Sequence, residues 1–261
     1  MIEETLLGPD PTRTATVLLL VLARTLPLAF LAPWLGVRGT ASYVRVSAGV
    51  VLALALLPLA RQSAIDVPTT WLPLTLALAR EGFVGATFAV AVSAPLYAMR
   101  WSGELIDRWR GSRADSTARD MGSPLGQLHL AAAVVLFVVL GGHRLAIAAF
   151  AEGFVHVPAG AVADAATLST FGLGAARIVA DALALTVAFL APAAVAFVVV
   201  ELALGIAGRV APAVISWMDA MPLRAALGVA VALLSLSALL PRLGPVFARS
   251  IDAASDLLRD L

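Results

Sequence analysis

The chain has no cysteine and no lysine, only three histidines, and charged side chains make up 13% of its 261 residues. Without cysteine there is no disulfide, no thiolate nucleophile and no iron–sulfur ligation, and three histidines leave little from which to build a soft-metal site. No metal and no cofactor are expected. All eighteen basic residues are arginine, which fits codon usage in a GC-rich genome better than a phosphate-binding surface. Set against seventeen carboxylates they leave a net charge of +1, so nucleic acid is not an expected partner. The HExxH and GxSxG signatures are missing, as are paired aspartates on facing helices, so no catalytic residue is assigned and an enzyme is not expected.

What the chain has in excess is apolar surface: 61% hydrophobic residues and a mean hydropathy of +0.94. With about half the charge of an average soluble domain, this composition belongs to a polytopic membrane protein. The fold class read from it is all-α, with about six long apolar helices, a central polar helix-loop insertion and a C-terminal amphipathic helix. The apolar runs cover residues 15–35, 43–60, 73–99, 125–150, 175–200 and 222–240, each near or above the roughly 17 to 25 residues that cross a bilayer. The run after residue 125 could break at Gly141-Gly142. The acidic, proline-bearing start MIEETLLGPDPTR differs from the basic start of a cleavable signal peptide, so the first run reads as a retained span. All 261 residues read as a single integral membrane domain, and the short first connection pairs its first two helices antiparallel.

The interruption falls at residues 100–124, RWSGELIDRWRGSRADSTARDMGSP, where five arginines and four carboxylates must lie in water or line a wet cavity. If Trp101 to Arg110 is helical, Gly103, Asp107 and Arg110 share a face while Trp101, Leu105 and Trp109 form an apolar stripe. Glu104–Arg108 and Asp115–Arg119 are i, i+4 pairs in the favourable order, each contributing a few tenths of a kcal/mol. Gly111 and Gly122 supply places to bend. The expected form is a helical extension followed by a loop, and the arginine bias of the connections places that loop in the cytoplasm.

Several charges sit inside apolar runs. Arg24 needs a partner, water or a snorkelling route to the interface. Arg80 and Glu81 point about 100° apart on a helix and are not expected to neutralise each other. Glu81 reads as a proton-relay carboxylate or as a structural one paired with an arginine of a neighbouring helix. Glu201 lies at an interface or a protein contact, and Arg177 with Asp181 stands at i, i+4. His143 reads as an interfacial hydrogen-bonding residue or as a group titrating near neutral pH. Gly82 with Ala86, followed closely by Gly85, and Gly228 with Ala232 have the spacing that lets helix backbones approach. Residues 246–261 are amphipathic and are expected to lie on a partner or a membrane surface.

In chain order, Arg80-Glu81-Gly82-Phe83-Val84-Gly85, Gly103-Glu104-Leu105-Ile106-Asp107 with Arg110-Gly111, Ser123-Pro124-Leu125-Gly126, Gly141-Gly142-His143, and Arg209-Val210-Ala211-Pro212 with Met221-Pro222-Leu223-Arg224 resemble the type III secretion export-apparatus family, SctT with its flagellar relative FliR. The resemblance covers residues 15–240 and departs where the family's usual lysine near residues 221–224 is arginine. GELID-x-x-RG and GGH look more like the injectisome branch than the flagellar one.

The resemblance implies an inner-membrane, non-enzymatic export-gate component. Its implied partners are two smaller, structurally related pore subunits, the switch protein of the apparatus, membrane lipid and unfolded polypeptides in transit. It also implies a pore plug formed by the central loop, here carrying Gly103, Glu104, Asp107, Arg110, Gly111, Arg113, Asp115 and Arg119. Arg24, Arg80, Glu81 and Glu201 then become assembly charges satisfied by neighbouring subunits or lumen water, and Gly82, Gly85 and Gly228 packing positions. The competing reading is a secondary transporter with Glu81, Asp181 and Glu201 as ion-coupling carboxylates, though no internal repeat of the transporter kind is visible.

Overall fold

The computed structural model describes residues 10–36, 40–64, 67–109, 123–160, 165–210 and 217–259. Among them every regular element is helical: α1 Pro11–Leu31, α2 Ser42–Ser63, α3 Trp71–Trp109, α4 Pro124–Val139, α5 Gly142–His156, α6 Ala165–Val210, α7 Trp217–Leu239, a 3-10 turn Leu240–Arg242 and α8 Leu243–Arg259. Five helices are long and apolar enough to cross a membrane, or six if α4 and α5 form one bent span.

Local sequence explains the boundaries. Asp10 caps α1, its carboxylate accepting from the Thr12 and Arg13 N–H groups, with Pro11 in the first turn where no N–H is needed. Ala32-Pro33 ends it, because the residue before proline is pushed out of the helical region. The break anticipated at Gly141-Gly142 is present: Gly141 has φ 76°, a left-handed conformation that glycine adopts without penalty, and α5 begins at the next residue. A side chain on Gly142 would meet the Phe137 ring. The helical extension expected after residue 99 is present, carrying α3 to Trp109, whereas the run expected over 175–200 is longer than expected, spanning Ala165–Val210. Arginine and glutamate are good helix formers, so charge at residues 100, 104 and 108 changes what surrounds the helix without ending it.

The chain divides into two compact units. The first holds residues 1–94, 137–179 and 247–261. In it Val17, Leu20, Val21 and Leu28 form one face of α1 at helical spacing, and α2 approaches through Gly49, where a Cβ would come within 3.1 Å of Leu26. Phe88 of α3 and Phe150 of α5 pack with ring centroids 5.1 Å apart. The C-terminal amphipathic helix corrects one expectation, because its apolar face is covered by its own chain. Phe247, Ile251, Ala254 and Leu258 of α8 are buried, Phe247 meets Phe137 edge-on, and Leu258 packs against Gly153.

The second unit holds residues 95–136 and 180–246. Its core joins Ile106 of α3, Leu125 of α4, Leu190, Ala193 and Phe197 of α6, and Ala232 of α7.

Candidate functional site

Two groups of polar residues are built into this apolar scaffold, one in each unit. In the first, Arg24 of α1 is 1% exposed and Glu81 of α3 is fully buried. Arg24 Nε donates to Glu81 Oε2 at 2.5 Å, Nη2 to the Val157 carbonyl at 3.0 Å, and Nη1 more weakly to the Gly153 carbonyl at 3.5 Å. These carbonyls close the C-terminus of α5, where the helix dipole favours a cation. The guanidinium also lies 4.2 Å from the Phe154 ring centroid, a cation–π contact. Glu81 Oε1 accepts from Arg80 Nη1 and from the Gly160 N–H, each at 3.3 Å. One ion pair thereby ties together α1, α3, the end of α5 and the turn after it.

The pairing is the one expected of a structural carboxylate: Glu81 meets an arginine of a neighbouring helix, and Arg24 points to it rather than snorkelling. It also corrects the expectation for Arg80, whose long side chain folds back to its neighbour despite the 100° offset. The packing glycine is Gly85 more than Gly82. A Cβ on Gly85 would fall onto the Arg24 carbonyl, 2.8 Å from its carbon, whereas one on Gly82 would sit a comfortable 3.6 Å from the Ala23 carbonyl oxygen. The backbones of α1 and α3 touch at the residue whose side chain makes the ion pair.

In the second unit the polar insertion has a closed base. Asp107, 3% exposed on α3, accepts through Oδ2 from the Ser123 hydroxyl and from the Leu125 N–H at 2.9 Å. Ser123 Oγ in turn accepts from the Gly126 N–H at 2.9 Å, so Ser123 is the N-cap of α4 with Pro124 in the first turn. Asp107 and Ser123 are sixteen positions apart in sequence, and this bond brings the two ends of the insertion to one point. Gly103, one turn before Asp107, permits the contact, since a Cβ there would sit 2.6 Å from the Leu125 carbonyl oxygen. Glu104 pairs back to Arg100 at 2.8 Å, in place of the forward pair expected with Arg108. Trp109 meets Phe197 edge-on at 6.0 Å, and Tyr97 stacks on Trp101 at the same separation. Arg110, Gly111, Arg113, Asp115 and Arg119 lie outside the described residues.

His129 escaped the sequence reading. It is 1% exposed on α4, its ring fills the space over Gly103, and the Asp107 carboxylate is nearby. Neither ring nitrogen makes a hydrogen bond of ordinary geometry, and the backbone of Ala232 lies near the ring. The available signal was its place four residues after Leu125, on the face that meets Gly103.

Asp181 and Glu201 are both exposed on α6, about 30 Å apart along the helix at 1.5 Å per residue, and Glu81 is committed to its arginine. Gly228 is buried on the face that carries Ala232. His143 is half-buried, with Nδ1 lacking a partner. Among the described residues no cluster of three metal-ligating side chains occurs.

The profile of the family described as bacterial export proteins, family 1, matches residues 15–250. The chain is similar to the flagellar biosynthetic protein FliR of Caulobacter vibrioides, with 30% identity over 225 residues covering 84% of this chain and 87% of that protein. It is likewise similar to FliR of Pectobacterium carotovorum subsp. carotovorum, with 26% identity over 247 residues covering 91% and 89% respectively.

Proposed function

Because this chain belongs to bacterial export protein family 1, whose members are membrane components of the export apparatus, we propose that it forms part of a type III secretion gate closed by its own polar insertion. The observation that carries the reading is the bond from Asp107 to Ser123 and to the Leu125 N–H. It ties the two ends of a charged, glycine-flanked segment together where α3 ends and α4 begins.

A pore for unfolded chains needs a closure that blocks ions at rest and yields when a polypeptide arrives. Charges of both signs in the insertion suit that task, because exposed salt bridges of up to about 1 kcal/mol each exchange readily. The two smaller pore subunits and the switch protein are the proposed neighbours, and unfolded polypeptide is the proposed cargo. No catalytic step is assigned to any residue.

The test is deletion of residues 112–122. Assembly with the other export proteins should persist while membrane conductance to small ions rises. Loss of assembly would make the insertion structural and end the plug assignment. The GELID-x-x-RG and GGH motifs favour the injectisome, whereas the two relatives are flagellar biosynthetic proteins. The branches separate in a strain lacking the gene: the injectisome reading requires loss of effector secretion with motility intact, and the flagellar reading requires the reverse.

A further inference from the structure

Of the three histidines in the chain, His129 is sealed inside the second unit at the base of the insertion. It follows Leu125 by one helical turn, so the two share the face of α4 that meets α3. Two glycines let the helices close there. A Cβ on Gly103 of α3 would fall on His129 Nδ1, and one on Gly126 of α4 would lie 2.6 Å from Glu104 Cγ and 3.1 Å from the Arg100 carbonyl oxygen. His129 is 1% exposed in this seat, yet neither ring nitrogen has a hydrogen-bond partner of ordinary geometry. Buried polar atoms are paired in the great majority of cases, and an apolar side chain would fill the same space without leaving two nitrogens unmatched.

The charged groups around the ring are few. From α3 come Asp107, one turn beyond Gly103, and Arg100 with Glu104, which pair with each other at 2.8 Å beside Gly126. Arg108 of α3 and Asp181 and Glu201 of α6 are exposed. α7 presents the backbone of Ala232, and the core shared by Leu125 and Ala232 is completed from α6 by Leu190, Ala193 and Phe197, all apolar. Asp107 is therefore the carboxylate within reach of the ring. Its Oδ2 accepts from the Ser123 hydroxyl and the Leu125 N–H, and these bonds clasp the two ends of the insertion.

We propose that His129 makes this clasp sensitive to protons, the neutral ring permitting it and the protonated ring opening it. A neutral imidazole lies against Gly103 and leaves the bonds of Asp107 undisturbed. An imidazolium brings a charge and a second N–H into a seat that supplies a partner for neither nitrogen, and it gains water once the first turn of α4 lifts from α3. Asp107 Oδ2 can receive the imidazolium only at the expense of Ser123 and Leu125, which again loosens the clasp. The proton is taken up on opening, so the open population rises as pH falls, by up to about tenfold per pH unit for one proton. This device rests on the proposed function only for its consequence, release of the insertion, because opening of the clasp is measurable without reference to a pore.

The test is hydrogen–deuterium exchange, read by mass spectrometry, on the full-length protein in the complex with which it leaves the membrane. The Leu125 and Gly126 amides are bonded to Asp107 Oδ2 and Ser123 Oγ, so a peptide covering residues 123–130 reports opening once the intrinsic pH dependence of exchange is divided out. From about pH 7.5 to about pH 5.5, across the range where histidine changes charge, wild-type protection in this peptide should fall at least about fivefold. H129Q keeps a polar side chain that does not titrate, and its protection should stay constant. Constant protection in the wild type, protection that rises with acid, or an equal fall in H129Q overturns the proposal. H143Q/H156Q leaves His129 as the sole histidine and should keep the whole response. Loss of the response there also overturns the proposal, and this arm decides should H129Q fail to fold. Resting ion conductance is recorded over the same range: a His129-dependent fall in protection with no rise in conductance supports the clasp and overturns the plug reading instead.

Discussion

Removing one member of the Arg24–Glu81 pair should cost far more than removing both. Glu81→Ala leaves a guanidinium that is 1% exposed without its carboxylate, holding only the carbonyls of Val157 and Gly153. Arg24→Ala leaves a fully buried carboxylate with the weaker Arg80 and Gly160 contacts at 3.3 Å. Breaking a buried pair from one side costs about 3–5 kcal/mol, whereas replacing both members by apolar residues of similar volume is often neutral or better. The double variant Arg24→Met, Glu81→Leu should therefore lie within about 1 kcal/mol of the wild type, giving a coupling of roughly 3 kcal/mol or more in a double-mutant cycle. The assay is resistance of the purified protein to thermal aggregation in detergent, read beside its level in the membrane and the rate of secretion. Additive effects of the two single variants would refute the reasoning. So would a Glu81→Gln protein of normal abundance and stability that secretes nothing, because that outcome belongs to a proton relay.

The other predictions concern single contacts. Gly85→Ala should sharply lower the level of folded protein because its Cβ lands on the Arg24 backbone, while Gly82→Ala, whose Cβ makes an ordinary contact at 3.6 Å with the Ala23 carbonyl oxygen, should be tolerated; membrane abundance compares them. Ser123→Ala removes the α4 cap at a cost of about 0.5–2 kcal/mol and loosens the base of the insertion. It should raise resting ion conductance more than Ser112→Ala, a change in the same insertion away from the cap. Leu258→Ala opens a cavity over Gly153 in the α5–α8 contact and should cost about 2–5 kcal/mol in thermal stability, with α8 released first to protease. Asp10 has a folded carboxyl pKa below its unfolded value of 3.8, so its contribution is complete above that value and fades as pH falls through the lower folded one. Asp10→Asn should flatten the acid limb of a stability–pH curve and leave neutral stability little changed.

The apolar runs, the polar insertion and the break at Gly141-Gly142 could be read from the sequence because each is a local pattern of hydropathy or backbone freedom. Glu81 as one half of a buried pair was also legible, since adjacent charges in an apolar helix require cover. Its partner was not: Arg24 stands fifty-seven positions away, and periodicity states which face a residue occupies without stating what meets it. The same gap hid the role of Asp107, legible as polar decoration on a helix but not as the acceptor for the first turn of another. It also misassigned the cover of α8, because an amphipathic face looks alike whether its own chain or a membrane lies beneath it.

Length carries the last step. The exposed apolar residues of α6, from Leu173 through Val187 and Val198 to Val210, run about 55 Å along the helix at 1.5 Å per residue. A hydrocarbon core of about 30 Å, crossed at a tilt of about 40°, takes in only about 40 Å of helix. The part of this run in the second unit, residues 180–210, is itself about 45 Å long, more than a single crossing covers. Only 22% of the most apolar window of that helix is buried within the chain, against 72% for α3. Glu201, exposed on the same helix among the described residues, makes an all-lipid neighbourhood costlier still. A helix so apolar, so long and so little covered by the described residues of its own chain fits a component of a multi-protein export apparatus.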